Sequence, residues 1–420
     1  MTQHSRILQN NDFLRLWFGE TVSLFGSQIT QFALPALAVL VLSASPFEMG
    51  LLAAAGSMPI LLLSLPAGAW IDRRLRRPIL ISTNLGRALL LSLIPLSVLF
   101  GSLSMPLLYV IAVLVGSLSV LFEIAYQSYL PSLVEQEQLA EGNGKLEISR
   151  SVAQVAGPAL GGLLVTLLTA PVTIIADAFS FVVSAICLAS IRKPELLPEA
   201  NRPHRTFRGD ILEGLRFIAQ HTLLRTVVVA TGLINIASGA IFAQQILYMT
   251  DVLALSPALV GMILSIGGPS AMLGALLVNR VVRRYGIGRT IVCGSLLFCS
   301  GDFCMALAGG PPALRIALLA LAQLCIGVGS PIYNVTVITF RQRLAPSHLI
   351  GRVTASARFV TIGTLPIGAF LGGLLAQVAG LQPTLLVASC WVLCTIIWLA
   401  WSPAGVIIEP PRQEESNPTV

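Results

Sequence analysis

Charged residues are scarce in this sequence. Only 11% of its 420 residues are Asp, Glu, Lys or Arg, whereas 55% are hydrophobic and the mean hydropathy is +0.83. An ordinary soluble domain carries about 25% charged residues. A soluble fold could not hide so much apolar surface from water, so we expect lipid to surround most of the chain.

Side chains that bind metals or perform covalent chemistry are also sparse. The seven Cys form no CxxC pair and lie in apolar runs, which favours small core residues over disulfides or metal ligands. The sequence contains no nucleotide-binding loop and no hydrolase triad. We therefore expect no cofactor, no metal and no enzymatic activity. A chain without an ATP site runs on a gradient or is passive. The four His fall in loops or tails, at His4, His204, His221 and His348.

Long apolar runs dominate the rest of the sequence. A bilayer core about 30 Å thick needs roughly 20 apolar residues per helix. The runs are continuous and do not alternate, which excludes the strands of a membrane β-barrel. The first run is too long for a signal peptide and lacks a cleavage pattern. The sequence thus predicts an all-α polytopic membrane protein with twelve spans, at about 13–42, 47–71, 78–100, 105–129, 147–170, 171–191, 225–250, 256–279, 289–309, 312–334, 353–379 and 381–402.

The basic residues indicate which ends of the spans face the cytoplasm. If the amino terminus is cytoplasmic, nearly all of the 26 Lys and Arg fall inside, and only Arg315 lies toward the outside. This is the bias of cytoplasmic loops. The stretch GAWIDRRLRRP at 68–78 becomes a short cytoplasmic turn. An even number of spans places both termini in the cytoplasm, and the net charge of +7 then follows from topology and does not indicate nucleic acid.

Two internal matches indicate a duplication. The segment AGAWIDRRLRR at 67–77 aligns with GALLVNRVVRR at 274–284, an offset of 207. RSVAQVAGP from Arg150 aligns with RFVTIGTLP from Arg358, an offset of 208, and each is followed by GGLL. Two matches at nearly one offset predict two pseudo-symmetric six-helix halves, as in alternating-access transporters.

The duplication sets the predicted domain boundaries. They are an amino-terminal tail at 1–12, a first half at 13–191, a linker at 192–224, a second half at 225–402 and a tail at 403–420. Within the linker, DILEGLRFIAQH has the pattern of a short amphipathic helix at the membrane surface.

These features resemble the major facilitator superfamily over about residues 10–402. The family's signature between spans two and three is matched by Gly68, Asp72, Arg73, Arg76 and Arg77. It departs at position 75, where the family often has Gly and this chain has Leu. The resemblance implies that Asp72 approaches the start of span eleven near position 352, with close approach allowed by Gly68, and latches the outward-open state. The alternative is a simple topology anchor.

A second motif is similar to the antiporter motif of exporters in this family. It is AGPALGG in span five, with Gly157, Pro158, Gly161 and Gly162. The resemblance implies export, and the alternative is a packing seam. LPSLVEQEQLAEGN and IIADAFSFVVSA resemble the branch of macrolide-efflux proteins and the enterobactin exporter. Span four lacks the basic residue of many drug–proton antiporters and has Glu123.

Polar residues inside the spans are the candidates for proton coupling or for the cavity. An ionisable group in a span costs roughly 2.5–3.5 kcal/mol, so it usually faces water or a partner. The resemblance implies that spans one, four, seven and ten line the cavity. Asp177 and Asp302, in outer spans, are expected to be structural. For Glu20 and Glu123 the alternative is a helix-end carboxylate in cytoplasmic water. The candidates are Glu20, Glu123, Gln31, Asn235 and Gln245.

Together these patterns predict a secondary active transporter in the cell (inner) membrane. We expect a monomer, surrounded by lipid, that exports a small amphipathic molecule in exchange for protons by alternating access. A drug, a siderophore or a secondary metabolite fits that description. One alternative is an importer of a nutrient or metabolite on the same fold. Another is a membrane sensor or assembly partner that transports nothing.

Overall fold

The computed structural model describes residues 7–71, 73–195, 207–346 and 349–403. Throughout these ranges the regular elements are helices. The α-helices are α1 (Asn11–Leu42), α2 (Pro46–Ile71), α3 (Arg76–Leu99), α4 (Met105–Leu133), α5 (Leu139–Leu168), α6 (Ala170–Ala189), α7 (Phe207–Gln220), α8 (Thr222–Leu247), α9 (Pro257–Ser265), α10 (Gly267–Tyr285), α11 (Ile287–Ala306), α12 (Pro312–Leu344), α13 (Ile350–Ala379) and α14 (Leu381–Trp401).

The number of membrane spans agrees with the sequence. Twelve helical segments within the described ranges are long and apolar enough to cross a membrane. The predicted all-α fold with twelve spans is confirmed. The remaining helix, α7, occupies the linker where the amphipathic pattern predicted one.

Span eight differs from the prediction because it consists of two helices, α9 and α10. Helix α9 ends at Ser265, and α10 begins at Gly267. Pro269 lacks the amide hydrogen that would bond to the Ser265 carbonyl four residues earlier, so the helical ladder is interrupted there. Span seven continues past Leu247 as a π-helical turn, Tyr248–Val252.

Several helices also extend beyond their apolar runs. Helix α5 begins at Leu139, eight residues before the predicted start at 147, and α12 continues to Leu344 rather than stopping near 334. The added residues include Glu, Lys, Gln and Arg, which are good helix formers. Hydropathy marks where a helix leaves the lipid, but the helical hydrogen bonds continue into the polar region.

The helices group into two compact units. The first contains Met1–Pro203, Gly239–Gly268 and Leu365–Thr384, and the second contains the rest of the chain. In the first unit α1 packs against α5 and α6, α3 packs against α4 and α6, and α5 packs against α9. In the second unit α11 packs against α12. The first unit thus joins parts of spans seven, eight and eleven to the predicted first half.

Candidate transport site in the first unit

A cavity of about 490 Å³ lies between α1, α4 and α5. Three leucines, Leu24, Leu130 and Leu146, supply part of its apolar lining. The cavity therefore offers both apolar surface and charge, as a pocket for an amphipathic molecule requires. Its polar lining residues are Glu20, Tyr126, Gln127, Asn143, Glu147 and Arg150.

Glu20 is the most deeply buried acid of this cavity. The residue is 8% exposed. Its Oε2 oxygen and the Tyr126 hydroxyl are buried, and neither has a hydrogen-bond partner among the described residues. A buried polar atom without a partner costs about 1–3 kcal/mol. Glu20 thus lines a cavity and also has unused hydrogen-bonding capacity at a buried oxygen, two features that a site for an exchangeable proton needs.

A buried arginine, Arg87, lies behind the cavity. Its guanidinium carbon is 4.4 Å from the ring centroid of Phe122 and 4.1 Å from that of Phe181. Its Nη2 donates to Asn84 Oδ1, and Asn84 Nδ2 donates to Ser184 Oγ at 2.9 Å. The residue is 5% exposed, and no partner for its Nε is found in the described part of the chain. Two aromatic faces and one amide hold this cation inside the helix bundle.

Asp177 on α6 is the third buried charged residue of this region, after Glu20 and Arg87. It is 1% exposed and accepts a hydrogen bond from Ser180 Oγ at 3.0 Å. A Cβ on Gly26 of α1 would lie 2.3 Å from Asp177 Oδ1, so α1 approaches the acid closely only because position 26 is Gly. Arg87 interacts electrostatically with both Glu20 and Asp177.

From the sequence, Arg87 was expected only to be one of the basic residues on the inner side, in the inner half of the third span. The available signal was an arginine within an otherwise apolar span, which usually marks a buried partner. Asp177 had been expected to bond between helices. It accepts a hydrogen bond from Ser180 within α6, and Thr30 of α1 also acts on it as a hydrogen-bonding neighbour. Its link to α3 is electrostatic, and the structural role stays a prediction.

Glu123 does not share the burial of Glu20. Its side chain is exposed, and Gln127 Nε2 donates to its Oε1 at 3.4 Å. Phe122 and Tyr126 form the buried face of α4, and position 123 lies about 100° around the helix from position 122. Glu123 still interacts electrostatically with Glu20. Gln31 of α1, another candidate, is also exposed.

The polar residues of span seven serve partly in helix contacts. Asn235 Nδ2 donates to the Thr361 carbonyl at 2.7 Å, within the second unit. Gln245 is half-buried, whereas its neighbour Gln244 is fully buried and donates through Nε2 to the Pro46 carbonyl at 2.9 Å. Gln245 was a candidate from the sequence, whereas Gln244 was not.

The antiporter-like motif lies at a contact of three helices. A Cβ on Gly157 would lie 2.3 Å from Gln28 Cβ of α1, and one on Gly161 would lie 3.0 Å from Phe32 Cβ. On the other face a Cβ on Gly162 would lie 2.3 Å from the carbonyl oxygen of Pro257 in α9.

The Pro158 carbonyl takes part in the same contact. A Cβ on Gly261 of α9 would approach that oxygen to 2.2 Å. The four motif residues Gly157, Pro158, Gly161 and Gly162 therefore pack α5 closely between α1 and α9.

The second GGLL makes the corresponding contacts in α13. A Cβ on Gly372 would lie 2.4 Å from Ala240 Cβ of α8, and one on Gly373 would lie 2.8 Å from Gly50 Cα of α2. In each repeat the first glycine faces the first helix of its own predicted half, which is α1 for Gly161 and α8 for Gly372. The second glycine faces a helix of the other predicted half, which is α9 for Gly162 and α2 for Gly373. The sequence repeat is thus also a repeat of helix contacts.

Of the signature motif, Asp72 lies outside the described residues. A Cβ on Gly68 would meet no heavy atom of the described residues within 4 Å. The expected latch at Gly68 and Asp72 stays a prediction. Arg73 is exposed in the turn between α2 and α3. Arg352, the expected neighbour of Asp72, forms an ion pair with Glu213 of α7.

The other two signature arginines bind to the end of span six. Glu195 accepts the backbone amides of Arg76 at 2.8 Å and Arg77 at 3.0 Å, and it pairs with Arg76 Nη1 at 3.6 Å. Arg77 Nε donates to the Leu188 carbonyl at 3.0 Å. Sequence analysis placed Glu195 in the linker and assigned it no role.

Comparison with known proteins supports the same family. The chain matches the family described as transmembrane secretion effector over residues 5–406. The multidrug efflux pump Tap of Mycolicibacterium fortuitum is 31% identical, over 87% of this chain and 89% of the relative. Macrolide efflux protein A of Streptococcus pyogenes is 24% identical, over 92% and 94%.

Solved structures agree in fold. The nucleoside transporter NupG superposes with a TM-score of 0.78 at 12% identity, over 93% of this chain and 98% of that one. A bacterial homologue of the iron transporter ferroportin, in its inward-facing state, gives 0.71 at 18% identity, over 92% and 97%. The chain belongs to the transmembrane secretion effector family of major facilitator transporters, in the branch that includes the macrolide-efflux proteins.

Proposed function

We propose that this transporter exports small amphipathic molecules from the cytoplasm in exchange for protons, and that Glu20 carries the exchanged proton. The direction is supported by the relatives, which are named as multidrug and macrolide efflux pumps. In this proposal the protein is a monomer of the cell (inner) membrane, and both termini are cytoplasmic.

The observation that carries the proposal is the position of Glu20. Glu20 lines a cavity that also offers leucines and a tyrosine, and its buried Oε2 has no partner in the described part of the chain. A proton neutralises the carboxyl group, whereas its loss leaves an anion in the wall of the same cavity. Proton binding and substrate binding can therefore compete at one place, which is the requirement for exchange.

The position of the cavity along the spans fits this cycle. Asn143 and Glu147 come from the first turns of α5, beside the connection from α4. With a cytoplasmic amino terminus, that connection is cytoplasmic, so the cavity lies toward the inner side. The glycine contacts near Gly162 and Gly373 then lie toward the outer side and belong to an outward-closed state, and they must separate for release.

The signature motif has a separate role in the proposal. Arg76 and Arg77 fix the inner turn to the end of α6, whereas Asp72 and Gly68 stabilise the outward-open state against the start of span eleven. Polar groups of span seven, including Asn235 and Gln245, contribute to the path on the second half.

The test uses inside-out membrane vesicles from cells that produce the chain. Respiration acidifies the lumen, and a fluorescent amine reports the gradient. Erythromycin, tetracycline and ethidium are then added one at a time. We expect at least one of them to enter the lumen in exchange for protons and to restore fluorescence. Vesicles with Glu20→Gln should give no recovery.

A matched control is Glu141→Gln. Glu141 lies on α5 outside the cavity and is 49% exposed, so its loss should leave the recovery unchanged. If all three compounds leave the gradient intact in vesicles that contain the folded protein, proton-coupled efflux of such molecules is wrong. Recovery of equal size in Glu20→Gln vesicles would remove Glu20 from the proposal.

A further inference from the structure

We propose that Arg87 is a positioning residue shared by Glu20 and Asp177, and that these three groups together set the pH at which Glu20 exchanges its proton. The inference rests on the proposed function only in taking Glu20 as the exchange site. It assigns roles to an arginine in span three and an acid in span six, neither of which lines the cavity.

The geometry makes Arg87 a fixed cation. Phe122 and Phe181 lie on its guanidinium group at 4.4 and 4.1 Å, and Asn84 accepts from its Nη2. Asn84 is itself held by Ser184 of α6. These contacts come from three different helices, α3, α4 and α6, so the charge is held in place while the cavity beside it fills or empties.

The balance of charges among Arg87, Glu20 and Asp177 explains why these three residues together bind one proton. Arg87 carries one positive charge, whereas Glu20 and Asp177 would carry two negative charges if both were ionised. All three residues are at most 8% exposed. An uncompensated charge is costly in such surroundings, and the group becomes neutral when one of its two carboxyl groups is protonated.

Accessibility decides which of the two acids exchanges the proton. Asp177 is 1% exposed, is bonded to Ser180 and is covered by α1 at Gly26. Glu20 lines the cavity and has an unpartnered oxygen. In this inference Asp177 balances the charge of Arg87 throughout, and Glu20 is the acid that gains and loses the proton.

The proton step is simple to balance. In one state Glu20 is a neutral acid, and Asp177 alone balances Arg87. When the cavity opens to the cytoplasm, the Glu20 O–H bond breaks, the proton passes to water, and the electron pair stays on the carboxylate. Arg87 then stabilises this carboxylate until a new proton arrives.

Other charged or titratable groups also act on Glu20. Arg150 and Glu147 line the same cavity from α5, and Tyr126 lines it from α4. Glu123 of α4 and Arg150 both interact electrostatically with Glu20. Glu123, Glu147 and Arg150 are exposed or half-buried, so solvent screens their charges more than it screens those of Arg87 and Asp177.

The experiment measures the protonation of Glu20 directly and needs no substrate. The full-length protein is placed in lipid vesicles, and infrared difference spectra record the protonated carboxyl band as pH is varied. The part of the band that is lost in Glu20→Gln belongs to Glu20. Its midpoint is then measured in Asp177→Asn, Arg87→Gln and Arg87→Lys.

The expected shifts have opposite signs. Asp177→Asn removes a negative charge and leaves Arg87 to Glu20 alone, so the midpoint should fall by about one pH unit or more. Arg87→Gln removes the cation, so the midpoint should rise by a similar amount. Arg87→Lys keeps the charge and should bring the midpoint back toward that of the unmodified protein. A purely structural role predicts loss of folded protein without opposite shifts.

Asp302→Asn is the matched control. Asp302 is also 1% exposed but belongs to α11 in the second unit, so the midpoint of Glu20 should not move. If Asp177→Asn leaves the midpoint in place, or if it moves in the same direction in Asp177→Asn and Arg87→Gln, the inference is wrong. The Glu20 midpoint in Asp177→Asn tests the inference even if Arg87→Gln fails to fold. Opposite shifts in a protein that transports nothing would support the triad and reject the proposed function.

Discussion

Gly162 of α5 and Gly261 of α9 touch backbone to backbone. A Cβ built on either residue would lie 3.0 Å from the Cα of the other. The contact joins span five to span eight, and Gly50 and Gly373 form the corresponding contact between spans two and eleven. Small residues allow helices to approach closely in lipid, and we call these two glycine contacts clasps.

The first prediction concerns this clasp. Gly162→Val should hold α5 and α9 apart, since overpacking of a tight contact costs about 1–3 kcal/mol. A cysteine placed at Ser265, whose Oγ accepts the Ala159 amide at 2.8 Å, should then react faster with a membrane-impermeant maleimide added outside. The measurement uses a background in which the seven native Cys are replaced by Ser.

The control for the clasp is Gly56→Val, because a Cβ on Gly56 would meet no heavy atom within 4 Å. It should leave the labelling rate unchanged. Equal labelling in Gly162→Val and in the unmodified background would show that the contact does not limit access.

A second prediction concerns the turn between α2 and α3. Leu75 precedes α3 and gives it no side-chain cap, whereas Glu195 accepts the first two amides of that helix. The Glu195 side chain is only 4% exposed. Glu195→Ala should therefore cost about 1–2 kcal/mol of stability, as loss of a helix cap and of a favourable helix dipole does.

Thermal unfolding in detergent measures this effect. The control is Glu141→Gln, which breaks a partly exposed i,i+4 pair with Lys145 and should cost at most about 0.5 kcal/mol. If both variants unfold at the same temperature, Glu195 does not cap α3.

The third prediction concerns the linker helix. A Cβ on Gly214 of α7 would lie 2.6 Å from the Arg352 carbonyl and 2.4 Å from Ser356 Oγ of α13. Gly214→Val should lift α7 from α13 and make the linker more sensitive to trypsin. Gly351→Val, where a Cβ would meet nothing within 4 Å, should show the cleavage rate of the unmodified protein.

Glu213→Gln provides a milder test of the same contact. It removes the ion pair with Arg352, whose side chains are 50% and 21% exposed, so only a small rise in cleavage is expected. A cleavage rate in Gly214→Val that matches the unmodified protein would contradict the docking of α7 through Gly214.

The number of spans and the linker helix could be predicted because length and hydropathy determine them. The rotation of each helix could not, because lipid and the protein core are both apolar and a span need not have one polar side. Glu20 and Glu123 show this difficulty: both are acids inside spans, yet one is buried and the other exposed.

Contacts between residues far apart in the sequence could not be predicted either. Arg87 meets Phe122 and Phe181 only after three helices have packed, and Glu195 meets Arg76 across 119 positions of chain. The glycine motifs were easier to interpret from the sequence. Close helix packing requires residues without side chains, and repeated glycines indicate such packing directly. Even there, the sequence did not reveal which helix each glycine contacts.

The most direct test of the account compares small molecules inside and outside cells of the native host. Three strains are needed, with the intact gene, without it, and with Glu20→Gln. The account predicts a compound that leaves the medium and builds up inside when the gene is lost, and that Glu20→Gln fails to export. A compound left unconsumed in the medium, full export by Glu20→Gln, or no change in any compound would contradict it.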